Sequence, residues 1–444
     1  MRKILLGTTA VVGLALIAPA AFAQSPAGRG PGVAPGAGTQ GATLTAPPTP
    51  RALAGASGLT VRLGGYFEFS AANIQDDNDR AERVNAGDGK ARQRNDFRND
   101  GELYVFVDGT AANGMQYGAV FDFQMDGVSN TTVDMDELYG YIKGSWGELR
   151  FGQEDSAASL LIVRAPGAGA LGGDALWDQF IMQRGLQGSP YLTSGINDGN
   201  DATKIVYLSP QFFGFDFGVS YAPNGNEGER RDVGATTTLS QRDRTTLENE
   251  ISIAARYRGT FGGVGLQLGA GAMVADAPAN NAVAGLPATK TDLESVTAYF
   301  FGAQVAAFGF ALGAEYATGR YFGSSVGRNA VSKGLDDSSH WLVGATYTLG
   351  PVVMGAVYGN GTQDNGGTTA ANVKDRDHTV WGIGALYTLA PGLGLYAAYN
   401  SISDENIPIN RPTAASTSAN LATFNNGSTT RNIDVLMAGI RLAF

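Results

Sequence analysis

The sequence predicts an all-β protein, a transmembrane antiparallel β-barrel of about 16 strands. Three observations carry that expectation. Apolar and polar residues alternate with period two in sixteen separate segments. Tight turns and long polar loops alternate between those segments. The face that the alternation turns away from lipid is too charged for a dry core.

Composition narrows the field first. The chain has 444 residues, of which 63 are glycine, about twice the usual share, and 43 % are apolar. The absence of cysteine excludes a disulfide scaffold, a thiolate zinc site and a cysteine nucleophile. A net charge of −10 argues against a nucleic-acid partner, which calls for a basic face.

Residues 1–23 read as a secretory signal, with Arg2 and Lys3 as the positive region, an apolar core from Ile4 to Ile17 and a cleavage site at Ala21-Phe22-Ala23. That apolar run is shorter than the ~20 residues a spanning helix needs, and no longer one follows. Residues 24–57 are rich in Pro, Gly, Ala and Thr, with little to bury, and read as a disordered tether. The barrel is expected over 58–444.

The strands are expected at 59–74, 96–110, 115–126, 134–144, 146–153, 202–209, 213–222, 247–259, 263–275, 292–304, 308–320, 338–349, 351–360, 377–389, 392–403 and 430–444. In the first, Leu59, Val61, Leu63, Phe67 and Phe69 share one face and Thr60, Arg62, Tyr66, Glu68 and Ser70 the other. The last runs Leu436, Ala438, Ile440, Leu442, Phe444 against Arg441. Turns such as Ala112-Asn113-Gly114, Gly144-Ser145 and Gly262-Gly263 form the short, periplasmic end. The long external loops are 75–95, 154–201, 223–246, 277–291, 321–337, 361–376 and 404–429, with 127–133 a short one among them. In lipid no strand edge stays unpaired, so the sheet must close.

The inward set is Arg62, Glu68, Arg98, Glu102, Asp108, Asp122, Lys143, Glu148, Arg150, Asp216, Glu248, Glu250, Arg256, Arg258, Glu315 and Arg441. Burying it dry would cost far more than folding yields, so the barrel should enclose water. Aromatics near strand ends, including Trp146, Phe212, Phe213, Phe261, Phe308, Tyr347, Tyr387 and Phe444, suit an interfacial girdle.

The residues speak against other chemistries. The two histidines, His340 and His378, stand at loop-side strand ends with no Gly-x-Ser-x-Gly nearby, which leaves a barrel lipid hydrolase unsupported. The clusters Asp76-Asp77-Asn78-Asp79 and Asn197-Asp198-Gly199-Asn200-Asp201 carry calcium-type oxygen ligands but not EF-hand spacing, and read as solvated turns. No cofactor is expected. A plugged transporter would need about 22 strands and a globular N-terminal domain.

Two stretches resemble the trimeric, 16-stranded general-diffusion porins of Gram-negative outer membranes. They are Glu137-Leu-Tyr-Gly-Tyr-Ile-Lys-Gly-Ser-Trp-Gly-Glu-Leu-Arg-Phe-Gly-Gln153 and the terminal Ile433-Asp-Val-Leu-Met-Ala-Gly-Ile-Arg-Leu-Ala-Phe444. The resemblance covers about 59–444. It implies an outer-membrane location, a homotrimer, passive passage of ions and small hydrophilic solutes (either generally or for one solute class), a third loop folded into the pore, and Phe444 as the assembly signal. Two departures stand out. Ala168-Gly-Ala-Leu-Gly-Gly-Asp174 replaces the Pro-Glu-Phe-Gly-Gly run of enteric members, and the second loop, 127–133, is short.

The third loop, 154–201, holds Glu154, Asp155, Asp174, Asp178, Asp198 and Asp201 against Arg164 and Arg184. Folded inward as the resemblance implies, those carboxylates meet ions within a Debye length of roughly 8 Å. The facing wall offers Arg62, Arg98, Arg150 and Arg441, with Glu68, Glu102 and Lys143 beside them. The balance predicts a mild cation preference, with Asp174 and Asp178 either lining the constriction or solvated outside the mouth.

Overall fold

The computed structural model describes residues 52–54, 58–77, 93–125, 134–169, 171, 177, 180–181, 202–225, 246–278, 293–321, 330, 333–364, 375–406 and 430–444. A short strand, β1 (Ala52–Ala54), precedes sixteen barrel strands. These are β2 (Thr60–Asp76), β3 (Asn95–Thr110), β4 (Gln116–Gln124), β5 (Asp134–Gly144), β6 (Gly147–Gln153), β7 (Thr203–Leu208), β8 (Phe215–Asn224) and β9 (Glu248–Phe261). The second half comprises β10 (Val264–Asp276), β11 (Val296–Ala307), β12 (Phe310–Arg320), β13 (Ser338–Leu349), β14 (Val352–Gln363), β15 (Arg376–Ala390), β16 (Leu393–Glu405) and β17 (Arg431–Ala443). Every expected segment is a strand, its ends moved by at most four residues.

Each barrel strand pairs antiparallel with the next, and β17 pairs with β2 from Ile433↔Asp76 to Ala443↔Tyr66, so the sheet closes. The chain end completes the seam. Phe444 N–H donates to the Gly65 carbonyl and Gly65 N–H to the Phe444 carbonyl, both at 3.0 Å. Among the described residues no helix is long and apolar enough to cross a membrane.

Two local features follow from the membrane setting. The β9–β10 hairpin turns on Gly262 and Gly263 at φ 56° and 86°, a left-handed pair that matches strand twist and that glycine adopts freely. Phe213 and Phe308 take φ 51° and 55° at their hairpins, at a cost of roughly 1–2 kcal/mol each. Their rings are 99 % and 92 % exposed, a placement suited to the lipid–water boundary. Trp146 stacks on Tyr207 in the same lower girdle. An upper girdle carries Trp341 against Tyr358 and Trp381 against Tyr399.

Two expectations need correction. The segment read as a tether is structured at its end: Ala52–Ala54 pairs with Thr60–Arg62 of β2, continuing the edge where β17 stops. The rest of 1–51 lies outside the described residues. The inner wall is also not polar throughout. Ala72, Ile74, Leu342, Val357, Val380, Ile402, Ile433, Val435 and Met437 face inward and form one cluster with Ala165, Leu171, Trp177, Phe180 and Ile181 of the third loop.

Candidate functional site: a strap across the inner wall

The third loop leaves β6 and runs inside the barrel. Ser156 caps a single helical turn, α1 (Ala157–Leu160), its hydroxyl accepting from Ser159 N–H at 3.3 Å. The two preceding amides, which a helix start leaves without intrahelical partners, are met by the wall. Ala157 N–H donates to Ser220 Oγ of β8 (3.0 Å) and Ala158 N–H to Ser252 Oγ of β9 (2.9 Å). Further on, Ala165 N–H donates to Glu315 Oε2 of β12 at 2.8 Å. Leu171 reaches Gly382 and Gly384 of β15.

Glycine makes room for this path. Gly269↔Gly302, Gly313↔Gly344 and Gly355↔Gly384 are directly opposed cross-strand pairs on β10–β15. A Cβ on Gly269 would lie 2.8 Å from the Val163 side chain, and one on Gly302 would collide with the Val163 carbonyl oxygen. One on Gly344 would collide with the Pro166 carbonyl oxygen, and one on Gly355 would lie 2.9 Å from the Ala168 Cβ. Six consecutive strands thus give up a side chain at one level of the inner wall, where another backbone approaches closely. That signal was present in the sequence as inward-parity glycines, but it only has meaning once strand register is known.

The strap is fixed at its first root. Glu154, its first residue, takes an ion pair from Arg150 Nη1 at 2.9 Å, and its backbone carbonyl accepts from Lys204 Nζ of β7. Arg150 also holds Glu148 at 2.6 Å, with Lys143 at 3.3 Å from the same carboxylate, and its guanidinium lies 5.3 Å from the Tyr139 ring centroid. All three of Arg150, Glu148 and Glu154 are buried.

The expected wall residues stand on the inner face, and three of its arginines are engaged. Arg62 pairs with Asp108 at 2.5 Å, and Arg441 with Glu68 at 3.3 Å while covering the Tyr66 ring at 3.9 Å. Tyr396 hydroxyl donates to Glu68 (2.5 Å) and Tyr66 hydroxyl to Glu102 (3.1 Å), with Tyr104 a second donor to Glu102. Arg98 sits opposite Ser70 on β2, next to the direct pair Glu68↔Asp100. Glu68, Asp100, Glu102, Asp122 and Glu137 thereby occupy four neighbouring strands, β2–β5. Asp155 and Arg164 belong to the described part of the strap; Asp174, Asp178, Arg184, Asp198 and Asp201 lie outside the described residues. Sequence reading missed Ser220, Ser252, Lys204 and the apolar anchors Trp177, Phe180 and Ile181.

At the outer rim Asp336 N–H donates to Asp364 at 2.9 Å. Partial burial, then the nearby Asp364 and Asp336 charges, raise the Asp375 carboxyl above the usual aspartate range.

A family model described as Gram-negative porin matches residues 7–406. No curated protein matches the sequence. Among solved structures, an anion-selective porin from Comamonas acidovorans is similar at TM-score 0.53 and 16 % identity, over 87 % of this chain and 100 % of that one. A trimer form of in-vitro folded OmpT, an outer membrane protein of Vibrio cholerae, gives 0.53 and 13 %, over 87 % and 100 %. The outer membrane channel DcaP of Acinetobacter baumannii gives 0.52 and 13 %, over 88 % and 99 %.

Proposed function

The chain belongs to the Gram-negative porin family and forms an outer-membrane channel, and from that premise we propose that ions and small hydrophilic solutes cross it passively, cations somewhat more readily than anions. The sign of the preference rests on this chain's own charges, because similarity at 16 % identity reaches the fold alone. The carrying observation is the carboxylate wall. On the inner face of β2–β5, Asp108 matches Arg62, Glu68 is matched by Arg441 of β17 and Lys143 by Glu148, which leaves Asp100, Glu102, Asp122 and Glu137 beside Arg98. Fixed charges act on a permeating ion through the field without touching it.

The reversal potential under a potassium chloride gradient tests this. The wild-type channel should show mild cation selectivity that weakens as acid protonates the carboxylates. Glu102→Gln on the wall, and Asp174→Asn with Asp178→Asn in the third-loop sequence, should each move the potential toward zero. Anion selectivity in the wild type would overturn the reading.

We also propose a homotrimer, on family membership and the outer membrane protein whose structure is described as a trimer form. Light scattering of the detergent-solubilised protein should return three copies per particle, and one copy would refute it.

A further inference from the structure

We propose that His340 and His378 form an exchangeable binding site for a borderline divalent transition-metal ion of the zinc–nickel–copper class, on the inner wall just inside the outer mouth. These are the only two histidines in the chain. Sheet register puts both in one transverse row: His340 pairs with Gly361, and Gly361 pairs with His378 on its other side. The residue between them is the one that leaves their space open. A Cβ on Gly361 would collide with the His378 ring, lying 2.8 Å from its Nε2, and would sit 2.9 Å from the His340 Cβ. The His378 imidazole therefore leans over the glycine toward His340, and both side chains are buried against the wall.

The surroundings fit a metal-binding imidazole. Tyr321 Oη lies 3.2 Å from His340 Nδ1. With Nδ1–H donating to that oxygen, the lone pair is left on Nε2, the outer-shell arrangement that orients metal-bound histidines. Tyr321 is itself anchored, its carbonyl accepting from Ser338 Oγ at 2.8 Å, and Gln363 Nε2 donates to the same Ser338 Oγ at 3.3 Å. The nearest fixed cation on β15, Arg376, is matched by a two-point pair with Asp404 at 2.7 and 2.6 Å, which reduces its repulsion of an incoming ion. Imidazole nitrogen selects zinc, nickel or copper over calcium and magnesium, which require oxygen cages. Among the described residues no group of three His, Asp or Glu side chains is placed to hold a metal. Two protein ligands with water completing the shell make a reversible site, in contrast to the four-ligand closed sites that hold structural zinc.

Titrating zinc chloride into the full-length, untagged protein in detergent, followed by calorimetry, provides the test. One ion per chain is expected, with His340→Gln and His378→Gln each weakening binding about tenfold or more. Gly361→Val keeps both imidazoles but fills the gap, and should weaken binding similarly. Carbethoxylation of the wild type, mapped to the His340 and His378 peptides, supplies a readout without substitution, and zinc should suppress it at both. Undiminished binding in both histidine variants, absence of wild-type binding at millimolar zinc, or carbethoxylation that zinc leaves unchanged would each overturn the proposal.

Discussion

Valine at position 344 should lower single-channel conductance and shrink the largest solute that crosses. The substitution suits the strand itself, because β-branched residues favour the extended backbone over glycine. Its effect is steric. The new Cβ would meet the Pro166 carbonyl oxygen, with the Pro166 carbonyl carbon and nitrogen at 3.1 and 3.2 Å. Backbone on both sides, and a proline on one, leave no rotamer to relieve the contact. The strap must retreat from the wall into the channel, and its neighbouring Ala165–Glu315 bond stretches with it. Losing a hydrogen bond to a charged group costs about 1.5–3 kcal/mol. Valine at Ala345, one residue along and on the lipid-facing parity, should leave conductance unchanged. Current through a planar bilayer and liposome swelling with graded sugars measure both effects. Higher conductance for the Gly344→Val channel would mean that the strap is expelled rather than pushed inward.

Arg150→Ala should be the most destabilising single change among the residues described. It strips Glu148 and Glu154 of the guanidinium between them, and a buried carboxylate left without its partner costs about 3–5 kcal/mol. Lys143 remains beside Glu148 and Lys204 on the Glu154 carbonyl, which moderates the loss without replacing the shared guanidinium. Urea unfolding in detergent, followed by tryptophan fluorescence with Trp177 of the strap among the reporters, reads the loss. Arg150→Lys should recover little, since an ammonium cannot bridge two carboxylates in the guanidinium's forked geometry. An unchanged midpoint for Arg150→Ala would show that the strap's root does not depend on this contact.

Most of the barrel was legible because each of its strands faces two different media. Where a strand meets lipid outside and water or charge inside, as in Leu63 to Ser70, alternation declares the strand, its parity and its register at once. Where the strap covers the wall, that contrast disappears. At 435–438 Val435 and Met437 point inward while Leu436 and Ala438 point outward, so both faces are apolar and the pattern resembles a strand buried on two sides. The strap's course was legible only through family resemblance. Its seat consists of missing side chains, and its wall bonds join Ala165 to Glu315, 150 residues away. Arginine placement was legible and arginine pairing was not, since the Arg441–Glu68 contact exists only after closure.

That closure also sets a tempo. Fifteen of the sixteen barrel pairings join consecutive strands, fourteen of them across turns or loops that a growing sheet closes locally. The seam differs: Arg431 meets Asp76 across 355 residues, and Arg441 meets Glu68 across 373. Contacts of such separation form late, because the chain entropy they restrict must be offset by structure already in place. Until they form, β2 and β17 are two bare edges of a fifteen-hairpin ribbon, each able to accept a strand from a neighbouring chain. The paired guanidinium–carboxylate contacts at the two ends of the seam, with Phe444 and Gly65 beneath them, thus determine how long the nascent protein stays vulnerable to joining the wrong partner.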